Sequence, residues 1–157
     1  MSHTDVGRAT VKAPPAEVFA ALVDVDARTV WLPPDGMSGR FEWFDARPGG
    51  GYRLVLAYDD SATSGKSEGN TDVVEVRFTV VEPPNSLVEE ADFVSDLPAL
   101  AGTMTMTWSL EAVEAGTLVT ITATGVPDGI ASTDHVEAFA STLSNLDRYL
   151  RARRNSM

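Results

Sequence analysis

The chain contains no cysteine. It can therefore form no disulfide, hold no metal through thiolates and use no cysteine nucleophile. Only two histidines, His3 and His135, occur in 157 residues, and two so far apart match no usual metal-ligand spacing. No metal and no other cofactor is expected. Basic residues are scarce: 12 Lys and Arg stand against 23 Asp and Glu, a formal net charge of −11. Nucleic acid and anionic membrane are poor partners for such a chain, because phosphate contacts need clustered cations. No apolar run approaches the roughly 18 residues that a membrane-spanning helix requires. The polar start, Met1 to Val11, has no apolar core of a secretory signal. These absences point to a single domain over residues 1–157, without membrane insertion, in a reducing cytoplasm.

What is present is alternation. Thr4 to Lys12 reads as a first strand. Ala13-Pro14-Pro15 opens a short helix with Val18, Phe19 and Leu22 on its apolar side, proline being tolerated in a first turn. Asp24 to Val30 adds a second helical turn, and Trp31-Leu32-Pro33-Pro34-Asp35-Gly36 is a breaker-rich connection. From Gly39 the period changes to two. Phe41 and Trp43 share one face of a strand, and Tyr52, Leu54, Leu56 and Tyr58 share one face of the next. Asp59 to Thr71 is polar and Gly/Ser-rich, which predicts a long mobile hairpin loop. Val74, Val76, Phe78 and Val80 alternate with Glu75, Arg77 and Thr79. After the turn at Glu82 to Ser86, Leu87 to Val94 predicts another strand, and Asp96 to Gly102 a connection. Met104, Met106, Trp108 and Leu110 then alternate with threonine and serine, as do Val119, Ile121 and Ala123.

Ser132 to Arg154 closes the chain as one amphipathic helix, about 33 Å long at 1.5 Å per residue. Val136, Phe139, Ala140, Leu143, Leu146 and Leu150 form its apolar stripe. Ser132 suits the N-cap and Asp134 the first turn. Arg148, Arg151, Arg153 and Arg154 complement the carbonyl end of the helix dipole. Six strands in a row joined by tight turns imply an antiparallel meander, and its twist would curl it around the final helix. The fold class is therefore α+β, a curved antiparallel sheet wrapped around a long C-terminal helix. Such a geometry leaves room for a cavity between the two.

Few residues carry chemistry. His135 beside Asp134 could act as proton shuttle or ligand contact, although neighbouring helical side chains point apart. The alternative is a surface residue at a helix start. His3 reads as a tail residue. Glu89, Glu90 and Asp92 interrupt an otherwise apolar strand. One of the glutamates must face the interior if that strand is central, and an edge strand would leave both in solvent. Gly49-Gly50-Gly51 lies between strands and lacks the helix that would hold a phosphate, so it is a turn. No catalytic set emerges.

Several stretches carry a family resemblance: Val11 to Phe19, Phe44 to Arg53, Val80 to Pro84, Asp96 to Thr105, Thr107-Trp108 and Ser141 to Leu146. The chain resembles the START-like (SRPBCC) superfamily, and within it the Activator of Hsp90 ATPase homologue 1-like family. Relatives often carry two adjacent tryptophans where Val30-Trp31-Leu32 stands here. The resemblance implies a helix-grip (START/Bet v 1-like) fold with an internal cavity. Together with the apolar strand faces it suggests binding of a small hydrophobic or amphipathic molecule. A protein-interaction or co-chaperone-like module is a second reading, with a protein partner or a homodimer, and a cyclase, dehydratase or hydrolase acting in the cavity is a third. The expected ligand-binding residues are Trp31, Tyr52, Phe78, Met106, Trp108, His135, Phe139 and Leu143. Trp31 and His135 would sit at the mouth, near the loop Asp128 to Ala131, with the others deeper.

Overall fold

The two proline-linked helices and the run of alternating segments resolve into one sheet and one long helix. The computed structural model describes residues 3–34, 36–59 and 71–155, so most of the Asp59 to Thr71 loop lies outside the described residues. The elements run β1 (His3–Val11), α1 (Pro15–Leu22), α2 (Val25–Trp31), β2 (Met37–Asp45), β3 (Gly51–Tyr58), β4 (Thr71–Glu82) and β5 (Ser86–Phe93). A 3-10 turn (Pro98–Leu100), β6 (Met104–Val113), β7 (Gly116–Val126) and α3 (Ser132–Asn155) follow. The curved sheet is antiparallel throughout, in the order β1-β7-β6-β5-β4-β3-β2. Helix α3 lies on its inward face over β1, with α1 and α2 beside it.

Local chemistry fixes the helix starts. Pro15 opens α1 with its φ already set, and Asp24 caps α2 by accepting from the backbone N–H of Asp26 at 2.9 Å. Helix α3 begins at Ser132, where Ala131 supplies the carbonyl that receives the His135 N–H. Ser132 is thus the first helical residue, not the cap, which frees its hydroxyl for a partner on β1.

Two β-bulges change which residues face inward. The β2–β3 register slips between Phe41 and Trp43, so Phe41 and Phe44 both pack against Tyr52 while Trp43 turns half-exposed to solvent. The β4–β5 register slips between Phe78 and Val80, and beyond it Val81, opposite buried Leu87, packs on the core. A strict period of two fails at both places because one extra residue reverses every later side chain.

The α3 stripe is also rotated from the expected one. Phe139, Thr142, Leu143, Leu146 and Leu150 are buried, whereas Val136 and Ala140 are exposed. At 100° per residue, Val136 and Ala140 lie about 60–100° to one side of Phe139, and Thr142 lies on the other. The connection after α2 meets that second side. Thr142 Oγ1 donates to the Leu32 carbonyl at 3.0 Å and Asn145 Nδ2 to the Pro33 carbonyl at 3.1 Å. Both bonds tie the connection after α2 to the middle of α3.

Candidate functional site

One register row crosses the sheet through Asp5, Ala123, Met106, Glu89 and Phe78. All five side chains point inward, so the row carries two carboxylates into the interior, one at its β1 end and one on β5 beside Phe78. Each is 3 % exposed or less, and a buried carboxylate must find a partner. A different helix answers each one.

Glu89 is answered by Arg28 of α2. Arg28 is fully buried, pairs with Glu89 through Nη2 and donates from Nε to the Leu22 carbonyl. Its Nη1 donates to Tyr52 Oη at 3.0 Å, and Tyr52 in turn donates to Glu89 Oε2 at 3.0 Å. The rings of Trp31, Phe44, Tyr52, Phe78 and Trp108 surround the guanidinium at 5.1–5.9 Å. Burial works against the Arg28 charge, but Glu89 outweighs it and holds the group above its ordinary value. Burial, and then the Glu89 charge, push the Tyr52 phenol far above its usual range. Glu90 points outward and meets Arg77 at 3.4 Å, as a strand between β4 and β6 requires.

Asp5 is answered by the start of α3. His135 Nδ1 lies 2.7 Å and His3 Nε2 3.0 Å from Asp5 Oδ2, and Ser132 donates its hydroxyl to the same carboxylate. Burial alone would raise the Asp5 pKa. The hydrogen bonds from Ser132 and His135 and the charges of the two imidazoles prevail and hold it below its ordinary value. The carboxylate partner of His135 is therefore Asp5, 130 positions away, not the adjacent Asp134. His3 belongs to β1 and to this cluster rather than to a tail.

A cavity of about 850 Å³ opens beside this cluster. Its floor is the common end of β2 to β5: Met37, Leu56, Tyr58, Asp72 and Phe93. Register places Met37 opposite Tyr58 and Leu56 opposite Asp72. One wall is Pro34 and the first turns of α3, with His135, Ala138 and Ser141. The other is Leu97, Ala99 and Leu100 with Gly129 and Ile130. These two segments are clasped by the Gly129 N–H to Ala99 carbonyl bond of 2.7 Å, and a β-carbon at Gly129 would come within 2.8 Å of that carbonyl. Asp72 is a buried carboxylate in the floor, with Tyr58 Oη 3.5 Å away.

The eight residues expected from sequence divide unevenly between core and cavity. His135 lines the cavity. Tyr52, Phe78, Trp31 and Trp108 build the aromatic cage around Arg28. Trp31, fully buried and bonded through its indole N–H to the Ala21 carbonyl at 3.1 Å, sits in the core and not at a mouth. Trp108 meets it edge-on at 5.6 Å. Met106 is half-buried on the inward face, and Leu143 is in the core. Phe139 supports the site from behind, its ring 4.2 Å from that of His135. Arg28 and Asp5 escaped the sequence reading. The signal for Arg28 was a charge on the buried side of α2, between Ala27 and Trp31, matching the lone inward charge of β5.

With this geometry the comparisons with known proteins can be read. The model of the Activator of Hsp90 ATPase homolog 1-like family matches residues 12–151. The chain belongs to that family. No curated protein matches it. Among solved structures, the CV1439 protein of Chromobacterium violaceum is 26% identical, with a TM-score of 0.81 over 92% of this chain and 94% of that one. A Rhodobacter sphaeroides protein is 22% identical, with a TM-score of 0.75 over 96% and 99%. An Arthrobacter aurescens protein is also 22% identical, with a TM-score of 0.76 over 96% and 86%. All share the START-like helix-grip fold with this member of the family. The family name transfers no activity by itself. Among the described residues, no helix is long and apolar enough to cross a membrane, and no group of three or more His, Asp or Glu could hold a metal.

Proposed function

We propose that this protein binds a small, largely apolar molecule in the cavity between the β2–β5 end of the sheet and the start of α3. The observation that supports this reading is the cavity itself. Its volume of about 850 Å³ falls in the range of roughly 300–1,000 Å³ typical of small-molecule sites. Its lining also has their composition, apolar side chains with a few polar groups. Met37, Leu56, Phe93, Leu97, Leu100 and Ile130 supply the apolar surface, and His135, Tyr58, Ser141 and the carboxylates of Asp72, Asp134 and Glu137 the polar points. The apolar groups would drive entry and the polar ones fix orientation.

Native mass spectrometry of the protein taken gently from its host tests this reading, joined to melting curves with a library of neutral amphipathic compounds. The expected result is a stoichiometric adduct that organic solvent removes, or a compound that raises the melting temperature by mass action. An unliganded mass together with unmoved melting curves would count against it. Tryptophan emission is a poor reporter here, since Trp31 and Trp108 are sealed in the core.

A further inference from the structure

We propose that the molecule held in the cavity is a cationic amphiphile, with its ammonium head at the rim beside Asp134 and Glu137 of α3. This rests on the cavity reading and adds the charge of the ligand to it. The volume and the apolar floor make the site, and the carboxylates around it set the charge that it takes. Asp134, Glu137, Ala138 and Ser141 follow the spacing of three and four residues that shares one face of a helix. All four line the cavity, while the buried stripe of Phe139, Leu143, Leu146 and Leu150 lies on a different side of α3. Asp134 and Glu137 are exposed, and among the described residues neither forms an ion pair. Asp72 brings a third carboxylate, in the floor. Among the described residues, no Lys or Arg lines the cavity. The dipole at the start of α3 opposes these groups with about half a positive charge, less than the two rim carboxylates supply. His135, which also lines this space, is bonded to the buried Asp5 carboxylate at 2.7 Å, so a positive charge on its ring is already balanced.

The chain as a whole reinforces this sign. Its formal net charge of −11 draws cations toward an opening and repels anions. A head at the rim also costs little. An ammonium taken fully into an apolar space loses its hydration at a large penalty, whereas one at a rim keeps part of its water. The tail can then cover Leu56, Phe93, Leu100 and Ile130. A fatty acid offers the same tail but sets a further negative charge beside two others. The ligand class that fits is therefore an amine with an aliphatic or aromatic body.

Decylamine, decanol and decanoate test this, because they share one chain length and differ in head charge at neutral pH. Each is titrated against the neutral dye N-phenyl-1-naphthylamine bound to the wild type at low salt. An exposed ion pair is a few-fold effect, so with two of them decylamine should displace the dye about tenfold more tightly than decanol. Decanoate should be the weakest. Salt at about 0.5 M should narrow the gap, because it screens exposed charges. Asp134→Asn combined with Glu137→Gln should bring decylamine to the level of decanol, with decanol affinity and the melting temperature unchanged. Ala138→Trp should weaken decylamine and decanol alike, which separates cavity binding from attraction to the acidic surface. Equal displacement by all three, a preference for decanoate, or a decylamine preference that the double variant retains overturns the charge assignment. Decylamine that binds Ala138→Trp as tightly as the wild type overturns it too. In those cases decanol binding that Ala138→Trp weakens leaves the cavity reading standing, whereas displacement by none of the three overturns both.

Discussion

Each inward carboxylate of the Asp5–Phe78 row needs a specific answer, and the two answers differ in kind. Asp5 meets imidazoles that can gain and lose protons at the edge of a cavity. Glu89 meets a guanidinium that stays charged, sealed among five aromatic rings. The Arg28–Glu89–Tyr52 group therefore pins α2 to the sheet and has no route to a ligand. Removing one partner strands a buried charge, whereas removing both leaves an apolar site. Arg28→Met should thus destabilise by about 3–5 kcal/mol in urea unfolding. Arg28→Met combined with Glu89→Leu should recover much of that loss, giving a large coupling in a double-mutant cycle. A cost below about 1 kcal/mol for Arg28→Met would mean that Glu89 finds water or a proton instead.

At the scale of elements, the decisive contact is that of α3 on β1. Gly7 faces Phe139, and a β-carbon placed there would approach the Phe139 Cβ to 2.7 Å. Gly7→Ala should therefore push α3 away from β1 at a cost of about 1–3 kcal/mol, seen as a lower melting temperature. No loss of stability would mean that helix and strand pack more loosely than described. The order of elements was legible because strand and helix periods differ so clearly between Val74 to Val80 and Phe139 to Leu150. The bulges after Phe41 and Phe78 were not legible, since a single inserted residue leaves no mark in composition. The cavity lining was hidden for a related reason. Periodicity names the residues that share a face, but Leu56 and Tyr52 share one face of β3, and only the position of α2 decides that Tyr52 is sealed and Leu56 open. Likewise Asp134 was the visible neighbour of His135, and only the pairing of β1 with β7 brings Asp5 to it.

For the whole molecule, the packing divides the inward face of the sheet in two. Under α2 it is filled with aromatic rings around a fixed ion pair. Toward the common end of β2 to β5, beneath the first turns of α3, the space of about 850 Å³ opens. A rigid half thus carries an open half, and binding groups come from strand ends and loops that the rigid half positions. The central claim is that this space takes a ligand. Ala138 lines it from α3 and is half-buried, so Ala138→Trp should fill it without disturbing the Arg28 cage. The direct measurement is titration of the wild type and Ala138→Trp with the neutral dye N-phenyl-1-naphthylamine, followed by dye fluorescence, alongside their melting curves. The account predicts saturable one-to-one binding by the wild type, weakened about tenfold or more in Ala138→Trp, which corresponds to about 1.4 kcal/mol, with the melting temperature preserved. Equal binding by both proteins, or no saturable binding by the wild type, would contradict it.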